Sequence, residues 1–207
     1  MFNECIDHAG GFTTGTATEA HAMMLLQRGQ RRGCHIEATR AGGALVSWTR
    51  LQFGPVDGQV DTVARSIKLT PVTPLTSILR GGTVRHDLAT IDAHSRSRWE
   101  SARSRRVVVV GLDGIEAVTG EALHRDGLVT EAPGGRVRLT LAARLGLLAY
   151  EHRRRTPWRG RAAYCTCGMS APGSDPRAEA RDVWRAHLRA VTAEFVTGLA
   201  RPSARTA

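Results

Sequence analysis

Lysine is nearly missing from this chain: Lys68 is the only one, so 28 of the 29 Lys and Arg residues are arginine. Long apolar runs are missing too. No stretch approaches the roughly 18 uncharged apolar residues of a membrane-spanning helix, which argues against any membrane partner. The opening segment Met1-Phe-Asn-Glu-Cys-Ile-Asp has neither a basic region nor an apolar one, so it does not read as a secretion signal. Cysteine is scarce and scattered, at Cys5, Cys34, Cys165 and Cys167. Without a secretion signal, that spacing reads as reduced thiols in a cytoplasmic protein rather than a disulfide framework. The well-marked catalytic motifs are also absent. There is no G-x-x-x-x-G-K-[ST] phosphate loop, no G-x-S-x-G elbow and no paired-carboxylate motif, so the chain reads as non-catalytic.

What is present is a globular composition, 207 residues with 42% hydrophobic and 23% charged residues. That length suits one large domain or two small ones. The net charge of +10 asks for an anionic partner, and nucleic acid is the commonest. Arginine suits that role, because its planar fork matches phosphates and guanine edges. A GC-rich genome would also favour arginine through codon choice, which leaves incidental basicity open.

Patterning along the chain predicts an α+β fold. Thr16-x-x-Glu19 has the form of a capping box, predicting a helix to about Arg28 with Gly29 as its stop. Alternation over Cys34–Thr39 and Ala44–Trp48 around Gly42-Gly43 predicts a hairpin. Val63–Thr70 is expected as a third strand, ended by Pro71 and Pro74. Residues 1–80 thus form an αββ(β) region suited to dimerisation or ligand sensing. His86–Arg105 has the composition of a polar surface helix, on which His86, Asp87, Asp92 and His94 form an ionisable cluster. Arg106–Val110 reads as a buried strand. Glu116–Arg125 reads as a helix capped by Gly127, followed by a hairpin over Leu128–Thr140 turning at Pro133-Gly134-Gly135. A further helix is expected from Leu141 to about Arg154.

The run VTGEALHRDGLVTEAPGGRVRLTLAARLGLLAYE, from Val118, resembles the winged-helix DNA-binding superfamily, and within it the recognition helix and wing of MarR-like regulators. Ala122, Leu123, Gly127, Leu128, Val129, Gly134, Arg136, Val137, Leu139 and Thr140 carry the resemblance. It implies a winged-helix-like unit over 81–152 that contacts DNA through Thr119, His124 and Arg125 on the helix and Arg136 and Arg138 on the wing. Glu116 and Glu121 would bring negative charge to the same helix. Val107–Val110 followed by Gly111-x-x-Gly114 also has the outline of a phosphate-cradling strand and turn, but lacks the dinucleotide-binding spacing.

Arg153–Arg161 is a basic linker by composition, and its Arg153, Arg154 and Arg155 extend the expected DNA contacts. Residues 164–200 form a Cys/His helical module, and 201–207 a disordered tail. Asp175-Pro176 suits a helix start, and Ala180, Val183, Trp184, Leu188, Val191 and Phe195 lie on one helical stripe. The module resembles a Cys-x-Cys-Gly and Trp-x-x-His cassette of uncharacterised proteins from high-GC bacteria. Cys165, Cys167 and His187 have the chemistry of zinc ligands, but a structural site wants four. His152 or Cys34 could complete the set, and spacing selects neither. The bland reading is a core histidine beside Trp184, with the cysteines packed as small hydrophobes.

These observations lead to a non-catalytic, cytoplasmic DNA-binding protein, either a transcriptional regulator or a maintenance protein of a mobile element. No cofactor but zinc is suggested; a homodimer is left open, since the sequence does not set the oligomeric state. The alternatives are a protein-interaction scaffold with incidental basicity, and a nucleotide-using or nucleic-acid-processing enzyme.

Overall fold

The computed structural model describes residues 1–8, 11–53, 60–72, 106–111, 114–119, 127–132, 136–155, 164–169 and 178–199. They form an α+β fold in two units. One gathers Met1–Ala38, Ala44–Thr70 and Arg154–Ala207; the other, Thr39–Gly43 and Pro71–Arg153. Among the described residues, no helix is long and apolar enough to cross a membrane.

The first unit is built on a five-stranded sheet. Strands β1 (Phe2–His8) and β2 (Gly11–Ala17) pair antiparallel from Phe2↔Ala17 to His8↔Gly11. Strands β3 (His35–Ala38), β4 (Ala44–Phe53) and β5 (Val60–Pro71) form an antiparallel meander. The sheet order is β2-β1-β5-β4-β3. The meander matches the expected hairpin and third strand. The β1–β2 hairpin had no sequence signature, since β2 offers one large apolar side chain, Phe12, and that one is 74% exposed.

Helix α1 (Glu19–Arg31) differs from expectation at both ends. Its N-cap is Thr18, whose hydroxyl accepts a hydrogen bond from the His21 N–H, and Thr16 lies in β2. Burial of Ala17 against Phe2 holds the strand two residues longer than a cap at Thr16 allows. Gly29 does not stop the helix. It is buried within it, and a Cβ there would lie 2.9 Å from the Val46 Cγ1. The stop is Gly33, at φ +70°. The Cys34 N–H bonds to the Gly29 carbonyl and the Gly33 N–H to that of Gln30, which satisfies the last carbonyls of the helix.

Helix α3 (Ala178–Leu199) packs against β3 and α1. Its fully buried line is Leu188, Thr192 and Val196; Trp184, Val191 and Phe195 are half-buried, and Val183 is exposed. The expected stripe therefore omitted Thr192, a polar residue at the centre of the contact. Its hydroxyl accepts from the Ala38 N–H and donates to the Leu188 carbonyl. Nearby, Glu37 is buried beneath Arg189, at 2.6 Å, and Arg185, at 3.7 Å. A buried carboxylate needs such partners, because desolvation alone would cost several kcal/mol. Asp175 and Pro176 lie outside the described residues.

In the second unit, β6 (Arg106–Gly111) is the expected strand, but Gly114–Thr119 is strand β7, not the start of a helix. Register pairs Val107 with Val118, Val108 with Ala117 and Val109 with Glu116, ending at Gly111↔Gly114. Strand pairing with a β-branched run overrides the helix preference of Glu116 and Ala117. The same hairpin removes the strand–turn–helix outline of a phosphate site.

Strands β8 (Val129–Ala132) and β9 (Arg136–Leu139) form the second expected hairpin, followed by helix α2 (Leu141–Glu151). Thr140 joins them. Its N–H bonds to the Leu128 carbonyl, while its hydroxyl donates to the Gly127 carbonyl and accepts from the Ala143 N–H as the helix N-cap. Leu128, Val129, Leu139, Leu141 and Leu145 form the core of this unit. The ionisable residues at 86–94 lie outside the described residues.

Candidate metal centre

A very short two-stranded ribbon builds the candidate site. Strand β10 (Arg154–Arg155) pairs antiparallel with β11 (Tyr164–Cys165), placing Arg154 opposite Cys165. Arginines expected in a linker thus begin with a strand. Immediately after β11 the chain turns back on itself. The Gly168 N–H bonds to the Cys165 carbonyl, the Cys165 N–H bonds to the Met169 carbonyl, and Gly168 adopts φ +94°. Glycine suits that left-handed position, which explains why a glycine follows the Cys-x-Cys pair. The turn leaves Cys165 buried and Cys167 exposed.

Helix α3 supplies the next donor. The Cys167 Sγ lies 3.3 Å from the His187 Nε2. His187 is half-buried, and one residue further along the helix Leu188 is buried among the core side chains. The fourth donor is His152, the C-cap of α2, whose N–H bonds to the Leu148 carbonyl. It stands two residues before Arg154, which is itself paired with Cys165, so the local chain path brings it to the cysteines.

The ligating atoms of His152, Cys165, Cys167 and His187 all lie within 4.8 Å of one another. These four residues lie close enough to hold a metal ion. A tetrahedral zinc sphere spaces its donors about 3.3–3.8 Å apart, given bonds of about 2.0–2.3 Å. The Cys167–His187 pair already has that spacing. The widest pair needs to close by about 1 Å, within reach of side-chain rotation.

Electrostatics argue the same way. Burial pushes the Cys165 thiol above its ordinary pKa. The backbone N–H of Cys167 partly offsets this, and the side chain and charge of Cys167 raise it again. Two adjacent thiols, one of them buried, resist ionising together unless a cation joins them.

All three residues nominated as ligands therefore come together, and His152 is the fourth residue of the cluster. Cys34 takes no part; it closes the end of α1. The bland reading of His187 as a core histidine gives way to a side chain facing a thiol.

Among the described residues, the expected DNA contacts fall on several elements. Thr119 ends β7, paired with Arg106, and so does not lie on a helix. His124 and Arg125 lie outside the described residues. Arg136 and Arg138 occupy alternate positions of β9, opposite Ala132 and Thr130, and so share one face of that hairpin. The Arg153 guanidinium stacks on the Tyr150 ring at 4.1 Å. Arg154 is exposed, and Arg155 pairs with Tyr164. No family model, curated protein or solved structure compared with this chain matches it.

Proposed function

We propose that this chain is a non-catalytic DNA-binding protein of the reducing cytoplasm, in which a structural zinc ion orders an arginine-bearing ribbon. The observation that carries this reading is the pairing of Arg154 with Cys165. Cys165 belongs to the four-donor cluster, so binding of the ion fixes the backbone of the strand that carries Arg154 and Arg155. Two thiolates and two imidazoles select zinc over magnesium or calcium, which take oxygen donors. A set of four protein ligands leaves no open position, as in structural rather than catalytic sites.

Zinc here replaces core. A ribbon of two residue pairs buries too little to stand alone, and a zinc ion joining it to α3 supplies what packing does not. On α3, Arg185 and Arg189 are held by Glu37. Contact is therefore with phosphates through the ribbon, and with the face of β9 that bears Arg136 and Arg138. Contacts of that kind position a protein on DNA without reading its sequence.

A salt titration of DNA affinity tests this reading. For the zinc-loaded protein, replacing Arg154 and Arg155 by Ala flattens the slope of log affinity against log salt by about one to two units, roughly one per lost phosphate contact. A chelator has a comparable or larger effect on the parent protein, and little on the double variant. An unchanged slope in both experiments would return the chain to the protein-interaction alternative.

A further inference from the structure

The five-stranded sheet has two edges, and they are treated differently. The β3 edge is covered by α3: Thr192 takes the Ala38 N–H, and Glu37 is held by Arg189 and Arg185. At the β2 edge, nothing among the described residues pairs with the outer side of the strand. Six of its seven residues are exposed, Phe12 to 74%. Its register with β1 runs unbroken from Gly11 to Ala17, with no bulge to twist it away. Gly-Phe-Thr-Thr-Gly-Thr-Ala contains no proline and no charge. Those are the usual guards of an open edge, whose free N–H and C=O groups otherwise recruit another strand.

We propose that this edge takes a second copy of the chain, β2 against β2, antiparallel about a two-fold axis near Thr14. The composition of the strand admits that occupant. Every Lys and Arg of the chain lies at or beyond Arg28, whereas Met1–Gln27 holds the carboxylates Glu4, Asp7 and Glu19 and the histidines His8 and His21. The strand that would pair is itself uncharged, so setting it against its own copy places no arginine opposite another within the ladder. The strand also suits itself. Centred on Thr14, it sets threonine against threonine, Phe12 against Thr16 and Thr13 against Gly15. No like charges face each other, and Thr–Thr pairs are favourable across strands. The other described strands of four or more residues each carry at least one charged residue. Self-pairing is isologous, so association stops at the dimer. Seven residues a side is well short of the 20–30 or so of a standard interface, so the dimer is weak and depends on concentration. This inference rests on the sheet and is independent of the metal reading.

Sedimentation equilibrium of the full chain, from low micromolar to several hundred micromolar, provides the test. The expected result is a mass rising towards twice that of the monomer. Thr14→Lys, which places two ammonium groups at the two-fold, should weaken association at least tenfold. Ala190→Lys, the same charge on an exposed position of α3, should leave it unchanged. If Thr14→Lys fails to fold by circular dichroism, Phe12→Lys takes its place. A chain that stays monomeric throughout would overturn the proposal. So would open-ended assembly, or a Lys variant that dimerises like the parent.

Discussion

Two small hairpins, β8–β9 and β10–β11, each carry two arginines, and they differ in what surrounds them. The first has four residue pairs, buried Val129 and Leu139, and Thr140 bonded at once to Gly127, Leu128 and Ala143. The second has two pairs, with Cys165 its described buried side chain. Four donors converge beside the second, whereas packing suffices for the first. The difference teaches a rule of scale. Where a hairpin can bury apolar residues against a helix such as α2, the hydrophobic effect holds it. A ribbon of two pairs has too little surface for that, and under the proposed function the metal cross-link takes its place.

The comparison breaks most visibly at the ion. Elemental analysis should find about one zinc per chain, and Cys167→Ser should lower zinc affinity by more than about 100-fold, beyond the effect of changes outside the first ligand shell. Amide exchange in β10–β11 should then rise towards the rate of an unfolded segment, while β8–β9 keeps its protection. Equal loss of protection in both hairpins, or a metal-free protein with a fully protected ribbon, would remove the contrast.

The reciprocal change acts on the other side. Leu128 is fully buried, and Leu128→Ala should cost the second unit about 2–5 kcal/mol through lost burial and the cavity left behind. Zinc content should stay unchanged. Denaturant melts followed in β9 and α2 measure it.

A smaller effect, of about 1–3 kcal/mol, is expected for Thr140→Ala. That change removes the helix cap acceptor and leaves the Gly127 carbonyl without its 2.7 Å donor. Thr140→Ser keeps both bonds and should recover most of the loss. If Ala and Ser behave alike, the methyl rather than the hydroxyl holds the hairpin to the helix.

Legibility followed the strength of local pattern. The strands β3, β4 and β5 were visible because apolar residues alternate there, and β8, β9 and α2 because glycine, alternation and a capping threonine agree. The β1–β2 hairpin was invisible, since its pairing is held by backbone bonds and the single buried contact of Phe2 with Ala17. Strand β7 was mistaken for helix because Glu116 and Ala117 suit either state, and only its partner β6 decides between them. Within the site, residue chemistry alone nominated Cys165, Cys167 and His187.

What the sequence determined by itself is what has its cause within a few residues: the α+β class, the hairpin over Leu128–Thr140 and the helix that follows it, whereas the stop of α1 fell at Gly33 and not at Gly29. The choice of His152 over Cys34 as the fourth donor belongs to tertiary structure, because it depends on Arg154 pairing with Cys165 across ten intervening positions of chain register. So does the contrast between the guarded β3 edge and the bare β2 edge, which depends on α3 returning from the far end of the chain to give Thr192 to Ala38. Capping and alternation act over one or two turns of chain. Donor convergence and edge protection are set by which distant segments share a surface, and that only the folded packing decides.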